Sequence, residues 1–483
     1  MPLQLHNSLT KSLEPVVPLQ PGALQLYACG VTVYDDAHLG HIRAAFAFEV
    51  LRRVAQAQGW KVTYVRNITD VDDKIIDKAR GDAEATGESL KTACRQVAAR
   101  YTERYHRDLE RMNIPPPDLE PCATEHIPQM IQLIKGLLAK GHAYASGGDV
   151  YYRVRSWPAY GRLSHQSVDE LRAGAPTRAG ARIAPGEGKE DPLDFALWKT
   201  AKPDEPSWDS PWGPGRPGWH IECSAMSMTY LGETFDVHGG GRDLLFPHHE
   251  NEIAQSEAST GRPFARCWVH SGLVTVQGQK MAKSIGNVIN IDQLLARHAN
   301  PDVLKLLLLM THYASPLDFT WETYDEAATA YAHFTTIFDT VEAAQNMLTT
   351  ARPTVPLENV QAAANVAQAE RGFKIALEND LNTPVAVSAL FALASFAHRE
   401  FESGRLRMAS AIADQLRKHG RTLGLFEQLV SRSVPPNVRE LVDQRNAARW
   451  AKDFKKADQL RQEIQKHGFI VEDTGGGTVC RPA

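Results

Sequence analysis

A strand, a helix and a second strand follow one another within the first 70 residues, and no other feature constrains the fold as tightly. Residues 23–29, Ala-Leu-Gln-Leu-Tyr-Ala-Cys, form a short, mostly apolar run. Residues 42–58 carry Ile42, Ala45, Phe46, Val50, Leu51 and Val54 at the three-to-four-residue spacing of a helix face, and Gly59 stops it. Residues 61–66 are rich in β-branched and aromatic residues. Strands joined through a helical crossover run parallel, and a parallel sheet needs cover on both faces. The alternation resumes with a strand at 235–238, a helix over 250–259 and a strand over 268–276. The expected fold is therefore α/β: a Rossmann-like, doubly wound parallel sheet interrupted by an insertion.

Met112-Asn-Ile-Pro-Pro-Pro117 marks the break. The spacing predicts a first half of the sheet domain over 1–112 and an inserted module over 113–205. That module holds a helix over 126–140, strands near 149–155 and a charged Pro/Gly loop over 178–191. The second half of the sheet domain follows over 206–276, then a connector over 277–325. Alanine-rich helices at 327–345, 360–379 and 386–401 predict a helical bundle over 326–430. A small C-terminal domain fills 431–483, with a helical stretch over 439–467.

The net charge of −4 excludes a globally basic nucleic-acid coat but allows a local basic face. Residues 431–483 hold ten Lys/Arg against seven Asp/Glu. The most apolar stretch, Val303 to Met310, is far shorter than the ~20 residues of a membrane span, and Lys305 interrupts it. The first residues lack a charged and apolar leader, so the expectation is a cytoplasmic protein with no membrane partner. Six cysteines in 483 residues make no disulfide scaffold; one that matters is a ligand or nucleophile.

Three groups of residues can carry chemistry. His38-Leu-Gly-His41 opens the first helix, where free N–H groups and the positive dipole end attract phosphate. Gly40 clears space for a flat, bulky group to reach the backbone. Lys280-Met-Ala-Lys-Ser284 lies in a loop between Gly278 and Gly286, where two lysines three apart can neutralise a polyphosphate. Cys29, Cys223 and the Phe246-Pro-His-His-Glu-Asn-Glu252 stretch supply thiol, imidazole and carboxylate donors. On a helix His248 and Glu252 share a face at i,i+4, although His249 with Glu252 at i,i+3 stays open. Mixed soft and hard donors of this kind suit Zn²⁺ better than Mg²⁺ or Ca²⁺.

An H-x-G-H early and a K-M-x-K-S late, bracketing an interrupted doubly wound domain, resemble the two signatures of class I aminoacyl-tRNA synthetases. Longer blocks sharpen the resemblance to cysteinyl-tRNA synthetases of bacterial type. They are Tyr27 to His41, Arg66-Asn-Ile-Thr-Asp-Val-Asp-Asp-Lys74, Gly215 to Met226, Phe246 to Ser256, Ala123-Thr-Glu-His126, Leu381-Asn-Thr-Pro384, Lys452 to Asp458 and Glu472-Asp-Thr474. The likeness runs nearly end to end. Ligases that join cysteine to an amino-sugar resemble the catalytic half only and lack the blocks at 381–384 and 452–474. Two positions depart from the family's commoner residues: Leu39 and Ala282, the latter losing a hydroxyl in the lysine loop.

The resemblance implies zinc held by Cys29, Cys223, His248 and Glu252, and ATP, with Mg²⁺, handled by His38, Gly40, His41, Lys280 and Lys283. Gly239, Gly241 and Asp243 resemble the stretch that meets the adenosine. Cys29, Thr69, Trp219 and His238 would line the pocket for L-cysteine. The connector at 277–325 would contact the stem of tRNA(Cys), and the helical and C-terminal domains would read the rest. Arg445, Arg449, Trp450, Lys452, Lys455 and Lys456 would meet the RNA around the anticodon. A monomer is expected.

Zinc makes sense of that task. An apolar pocket separates isosteres such as a thiol and a hydroxyl by only ~10²-fold. A free thiol has a pKa of about 8.5, and a bound metal lowers it, so cysteine can enter as thiolate while serine cannot follow. The expectation is that the substrate sulfur coordinates the zinc and that no editing domain is needed. Four protein ligands usually mark a closed site, so either the coordination grows or Glu252 gives way.

Overall fold

The computed structural model describes residues 2–172, 188–281, 285–348, 360–428, 434–474 and 477–482. The Pro/Gly loop expected over 178–191 therefore falls mostly outside the described residues. Two compact units emerge: residues 1–301 with 313–319 and 379–381, and 302–312 with 320–378 and 382–483.

The first unit is built on four parallel strands. β1 (Ala23–Thr32) leads to α1 (Leu39–Ala57) and β2 (Lys61–Thr69), giving the βαβ unit expected from the periodicity. β1 and β2 both run three residues beyond their expected ends. Ala28 pairs with Arg66 and Val31 with Ile68, so Cys29 and Gly30 together face the single residue Asn67. This is a β-bulge, which re-aims the side chains at a strand end. A Cβ on Gly30 would overlap the Asn67 carbonyl oxygen, so the bulge requires glycine there.

The inserted module carries α2 (Ile127–Ala139) and four antiparallel strands, β3 (Ala143–Ser146), β4 (Asp149–Tyr152), β5 (Phe195–Thr200) and β6 (Gly215–Pro217), in that spatial order. β6 hands the chain to α3 (Trp219–Leu231), and the parallel sheet resumes with β7 (Phe235–Gly241), α4 (Glu250–Thr260) and β8 (Ala265–Ser271). The sheet order is β8-β7-β1-β2. The chain leaves β1 to one side for β2 and returns on its other side as β7. Their carboxyl ends therefore flank a topological switch point, where α/β sheets bind ligands.

The strand expected over 268–276 is two strands. β8 ends at Ser271, Gly272 turns the chain, and β9 (Val274–Val276) joins a separate sheet with β10 (Gln279–Lys280) and β11 (Leu317–Phe319). The signal for the break was Ser271-Gly272, a turn dipeptide between the apolar runs on either side.

The second unit holds α5 (Trp321–Leu348), α6 (Val360–Glu378), α7 (Thr383–Glu402) and α8 (Leu406–Thr422). Lys305 is buried in it, its ammonium 2.7 Å from Asp302 Oδ1 and donating to the Gly424 carbonyl at 2.6 Å. The stretch expected to be helical over 439–467 is two helices, α9 (Pro436–Trp450) and α10 (Phe454–Lys466), followed by a hairpin of β12 (Phe469–Thr474) and β13 (Gly477–Pro482). Lys452, at a φ of 60°, separates the helices. Val438, Val442, Ile464, Val471 and Cys480 form their shared core.

Candidate active site

Three segments deliver four donors to one point near the switch. Cys29 comes from the bulge in β1, Cys223 from α3, and His248 and Glu252 from the turn into α4. Their ligand atoms all lie within 4.8 Å of one another. Cys29 Sγ stands 3.5 Å from Cys223 Sγ and 3.4 Å from Glu252 Oε1. His248 Nε2 is 3.0 Å from the same oxygen, as the i,i+4 spacing anticipated. The second Glu252 oxygen lies 2.9 Å from His238 Nε2, and the His238 ring stacks on Trp268. The half-exposed Trp219 ring lies 4.2 Å from the His248 ring, centroid to centroid.

A second donor group shares two members with the first: Cys29, His238, His249 and Glu252 also lie within 4.8 Å of one another. His249 Nδ1 is 2.9 Å from His270 Nε2, whose ring in turn reaches Ser8.

Burial and mutual charge set the protonation of the first group. Burial alone would raise the Glu252 carboxyl, but His238 and His248 hold it well below the usual carboxylate range. Burial would lower His248, but Glu252 and Cys223 push it up to about 10. Burial would raise Cys223, yet the hydrogen bond from Cys29 and the neighbouring His248 bring it down to about 6. Burial and the Cys223 contact drive the Cys29 thiol up. At neutral pH a thiolate and a carboxylate thus face an imidazolium whose proton a divalent cation could replace. This donor chemistry fits zinc.

The phosphate-binding candidate is assembled by capping. His38 is the N-cap of α1, and its Nδ1 accepts from the Gly40 N–H at 3.1 Å. His41 Nδ1 accepts from the His38 N–H at 3.2 Å, and the rings stack at 3.8 Å. With both Nδ1 atoms accepting, both Nε2 atoms carry the proton and act as donors. The stretch that follows the lysine motif comes to the same place: Leu39 N–H donates to the Ile289 carbonyl, and His38 pairs with Asn290. A Cβ placed on Gly40 would come within 3.6 Å of Met281 Cε. Lys280 ends β10 and is exposed; Lys283 and Ala282 lie outside the described residues.

Among the other expected site residues, Gly239 is buried inside β7, where a Cβ would overlap the Phe48 ring of α1. Gly241 ends that strand beside the exposed Asp243, whose Oδ1 fills the space over its Cα. Thr69 is buried at the end of β2, its hydroxyl accepting from Asn67 Nδ2 at 3.2 Å.

Sequence reasoning gave no role to Asn67, whose Oδ1 accepts from Tyr27 Oη at 3.1 Å and from the Gly30 N–H at 2.9 Å. No local signal pointed to it: Asn67 lies one residue past the strand expected over 61–66, and its role depends on the bulge opposite. In the C-terminal hairpin region, Arg445 is not an exposed cation: it is buried and donates twice to Asp473, at 2.8 and 2.7 Å. Arg449 reaches the same carboxylate. Trp450, Lys452, Lys455 and Lys456 are exposed, as is Phe454, which the sequence reading left out.

The parallel sheet, with donors and capped histidines at its switch point, fits the catalytic domain of a class I aminoacyl-tRNA synthetase. Residues 15–329 match the family described as tRNA synthetases class I (C) catalytic domain, residues 372–427 the DALR domain, and residues 431–481 the cysteinyl-tRNA ligase anticodon binding domain. The cysteine–tRNA ligase of Persephonella marina is 44% identical, with 99% of each chain covered, and that of Thioalkalivibrio sulfidiphilus is 45% identical at the same coverage. The chain belongs to the cysteine–tRNA ligase family. In fold it is similar to Mycobacterium tuberculosis methionyl-tRNA synthetase in complex with methionyl-adenylate. The TM-score there is 0.61, at 17% identity over 87% of this chain and 96% of the other.

Proposed function

We propose that the chain activates L-cysteine with ATP and Mg²⁺ to cysteinyl-adenylate and passes it to the 3′ end of tRNA(Cys), choosing cysteine over serine at Cys29, Cys223, His248 and Glu252. The observation that carries this reading is the convergence of those four donors at the switch point. Zinc held there would lower the pKa of an incoming thiol and favour sulfur over oxygen as its donor. Trp219 covers the approach to His248, and Thr69 and His238 complete the cysteine pocket.

In the activation step the cysteine carboxylate attacks the α-phosphorus of ATP and pyrophosphate leaves. A carboxylate needs no general base, so the demand on the chain is electrostatic. The Nε2–H donors of His38 and His41, fixed in that tautomer by their caps, meet the phosphates, and Lys280 and Lys283 neutralise the charge that builds on them. Gly40 and Asp243 border the nucleotide, with Gly239 and Gly241 shaping the strand end beneath it.

For the RNA, Trp450 offers a stacking face and Arg449, Lys452, Lys455 and Lys456 offer phosphate contacts, while Arg445 braces them from inside. The enzyme acts as a monomer in the cytoplasm. No described helix is long and apolar enough to cross a membrane.

The test is cysteine-dependent ATP–pyrophosphate exchange, followed by X-ray absorption at the zinc edge with and without cysteine. The expected result is exchange with cysteine, none with serine, and one added sulfur scatterer on saturation. An unchanged metal environment would remove the thiolate reading.

A further inference from the structure

Arg43 lies in the first turns of α1, two residues beyond His41, and its side chain is buried. One guanidinium nitrogen donates to the carbonyls of Gly272, at 3.0 Å, and Leu273, at 2.8 Å. The other donates to the carbonyls of Tyr313, at 3.4 Å, and Ser315. Burial lowers its pKa to about 10, which still leaves it charged at neutral pH.

Those four carbonyls belong to the two segments that feed the sheet of β9, β10 and β11. Gly272–Leu273 leads straight into β9, and residues 313–315 lead into β11. These two segments are closed on each other: Gly272 N–H donates to the Tyr313 carbonyl at 2.7 Å and Leu317 N–H to the Leu273 carbonyl at 2.9 Å. A Cβ on Gly272 would overlap the Ser315 oxygen. Val274 pairs with Leu317 and Thr275 with Asp318. The Asp318 carboxylate then accepts from Thr275 Oγ1 and from the Gly278 N–H, each at 2.7 Å, which holds the turn into Lys280. Thr275 pairs with Lys280 across that turn. An unbroken series of hydrogen bonds thus runs from the helix that bears His38 and His41 to the strand that bears Lys280.

We propose that Arg43 is a positioning residue for activation, setting the register between the capped histidines of α1 and the strand that bears Lys280 by holding four carbonyls of the β9–β11 junction. The proposal rests on the adenylation reading above and deepens it. Five fixed N–H groups in a planar fork can bind four carbonyls at once, and a lysine ammonium, with three, cannot reproduce that geometry. A displacement near 1 Å between reacting partners can cost about 10²-fold in rate.

The experiment uses the full chain with its metal. Arg43→Lys, Asp318→Asn and the double variant are compared with the unaltered enzyme in cysteine-dependent pyrophosphate exchange. Metal content and amide hydrogen exchange are measured alongside. Arg43→Lys is expected to lower kcat by 10- to 100-fold, to leave KM for cysteine within about twofold and metal content unchanged, and to speed exchange of the amides over 274–280. Asp318→Asn is expected to lower kcat less, and the double variant no more than Arg43→Lys alone, since both act on one register. Unchanged kcat in folded Arg43→Lys overturns the proposal. So does a parallel loss of cysteine affinity and metal, which marks a general structural role, or a multiplicative double variant. If Arg43→Lys does not fold, Gly272→Ala, which forces the Ser315 carbonyl outward, must give the same kcat loss without a change in KM for cysteine. Absence of exchange activity in the unaltered enzyme counts against the adenylation reading, while the amide exchange over 274–280 still decides the role of Arg43.

Discussion

Glu252 in the first unit and Asp473 in the second each hold a carboxylate against two basic side chains. Glu252 faces His238 and His248; Asp473 faces Arg445 and Arg449. The Glu252 side chain is fully buried, whereas a third of the Asp473 side chain meets solvent. An imidazole nitrogen that yields its proton to a cation becomes a ligand, so the Glu252 group offers a donor set that a metal ion could occupy. Guanidiniums keep theirs, so the Asp473 group can only clamp. One arrangement fits a metal site and the other a brace, and the difference lies in the basic partner.

The comparison breaks most visibly at Cys223. Cys223→Ser is expected to strip the metal and to lower cysteine-dependent exchange by more than the roughly 10- to 100-fold that loss of an outer hydrogen-bond partner costs. Metal analysis and exchange rates on one preparation check this; full activity in a metal-free chain would end the reading of the first unit. His238→Gln removes the partner of the outer Glu252 oxygen and is expected to weaken metal binding about 10- to 100-fold, with the fold intact. Competition against a chelator measures it.

On the other side, Arg445→Met leaves Asp473 without its buried partner and is expected to cost the C-terminal region about 2 kcal/mol. Hydrogen exchange over α9 and β12 should accelerate while pyrophosphate exchange is untouched; slowed pyrophosphate exchange would show that the brace reaches the active site. The smallest effect is on pH. The hydrogen bond from Arg445 holds the Asp473 carboxyl down to about 2, below its ordinary 3.8. A carboxyl lowered by folding stabilises above its unfolded pKa and loses that contribution as pH falls through the folded one. Protection of the β12 amides, corrected for intrinsic rates, should therefore hold above pH 4 and decline from there toward pH 2. A decline beginning near pH 6 would point to another group.

Local patterns were legible wherever neighbours within a turn or two decide the outcome. The βαβ periodicity, the placing of His38-Leu-Gly-His41 at the start of α1 and the pairing of His248 with Glu252 all rest on spacing between near neighbours. The donor set as a whole was reached through family resemblance, because no spacing rule links Cys29 to Cys223 across 194 residues. Asn67 was not found, because its role comes from the bulge opposite it and not from its own strand.

The chain's order of residues settled where strands and helices form, since backbone sterics and apolar spacing act over a few residues. It also carried the chemistry: which thiols, imidazoles and lysines exist to be used. Packing alone settled their company. The return of β7 beside β1 brought donors from three segments together, the break at Gly272 sent the strands on either side of it into two sheets, and the fold of the hairpin turned Arg445 inward while leaving Trp450 in water. Contacts between residues far apart in order depend on the whole topology, and no short window of sequence contains it.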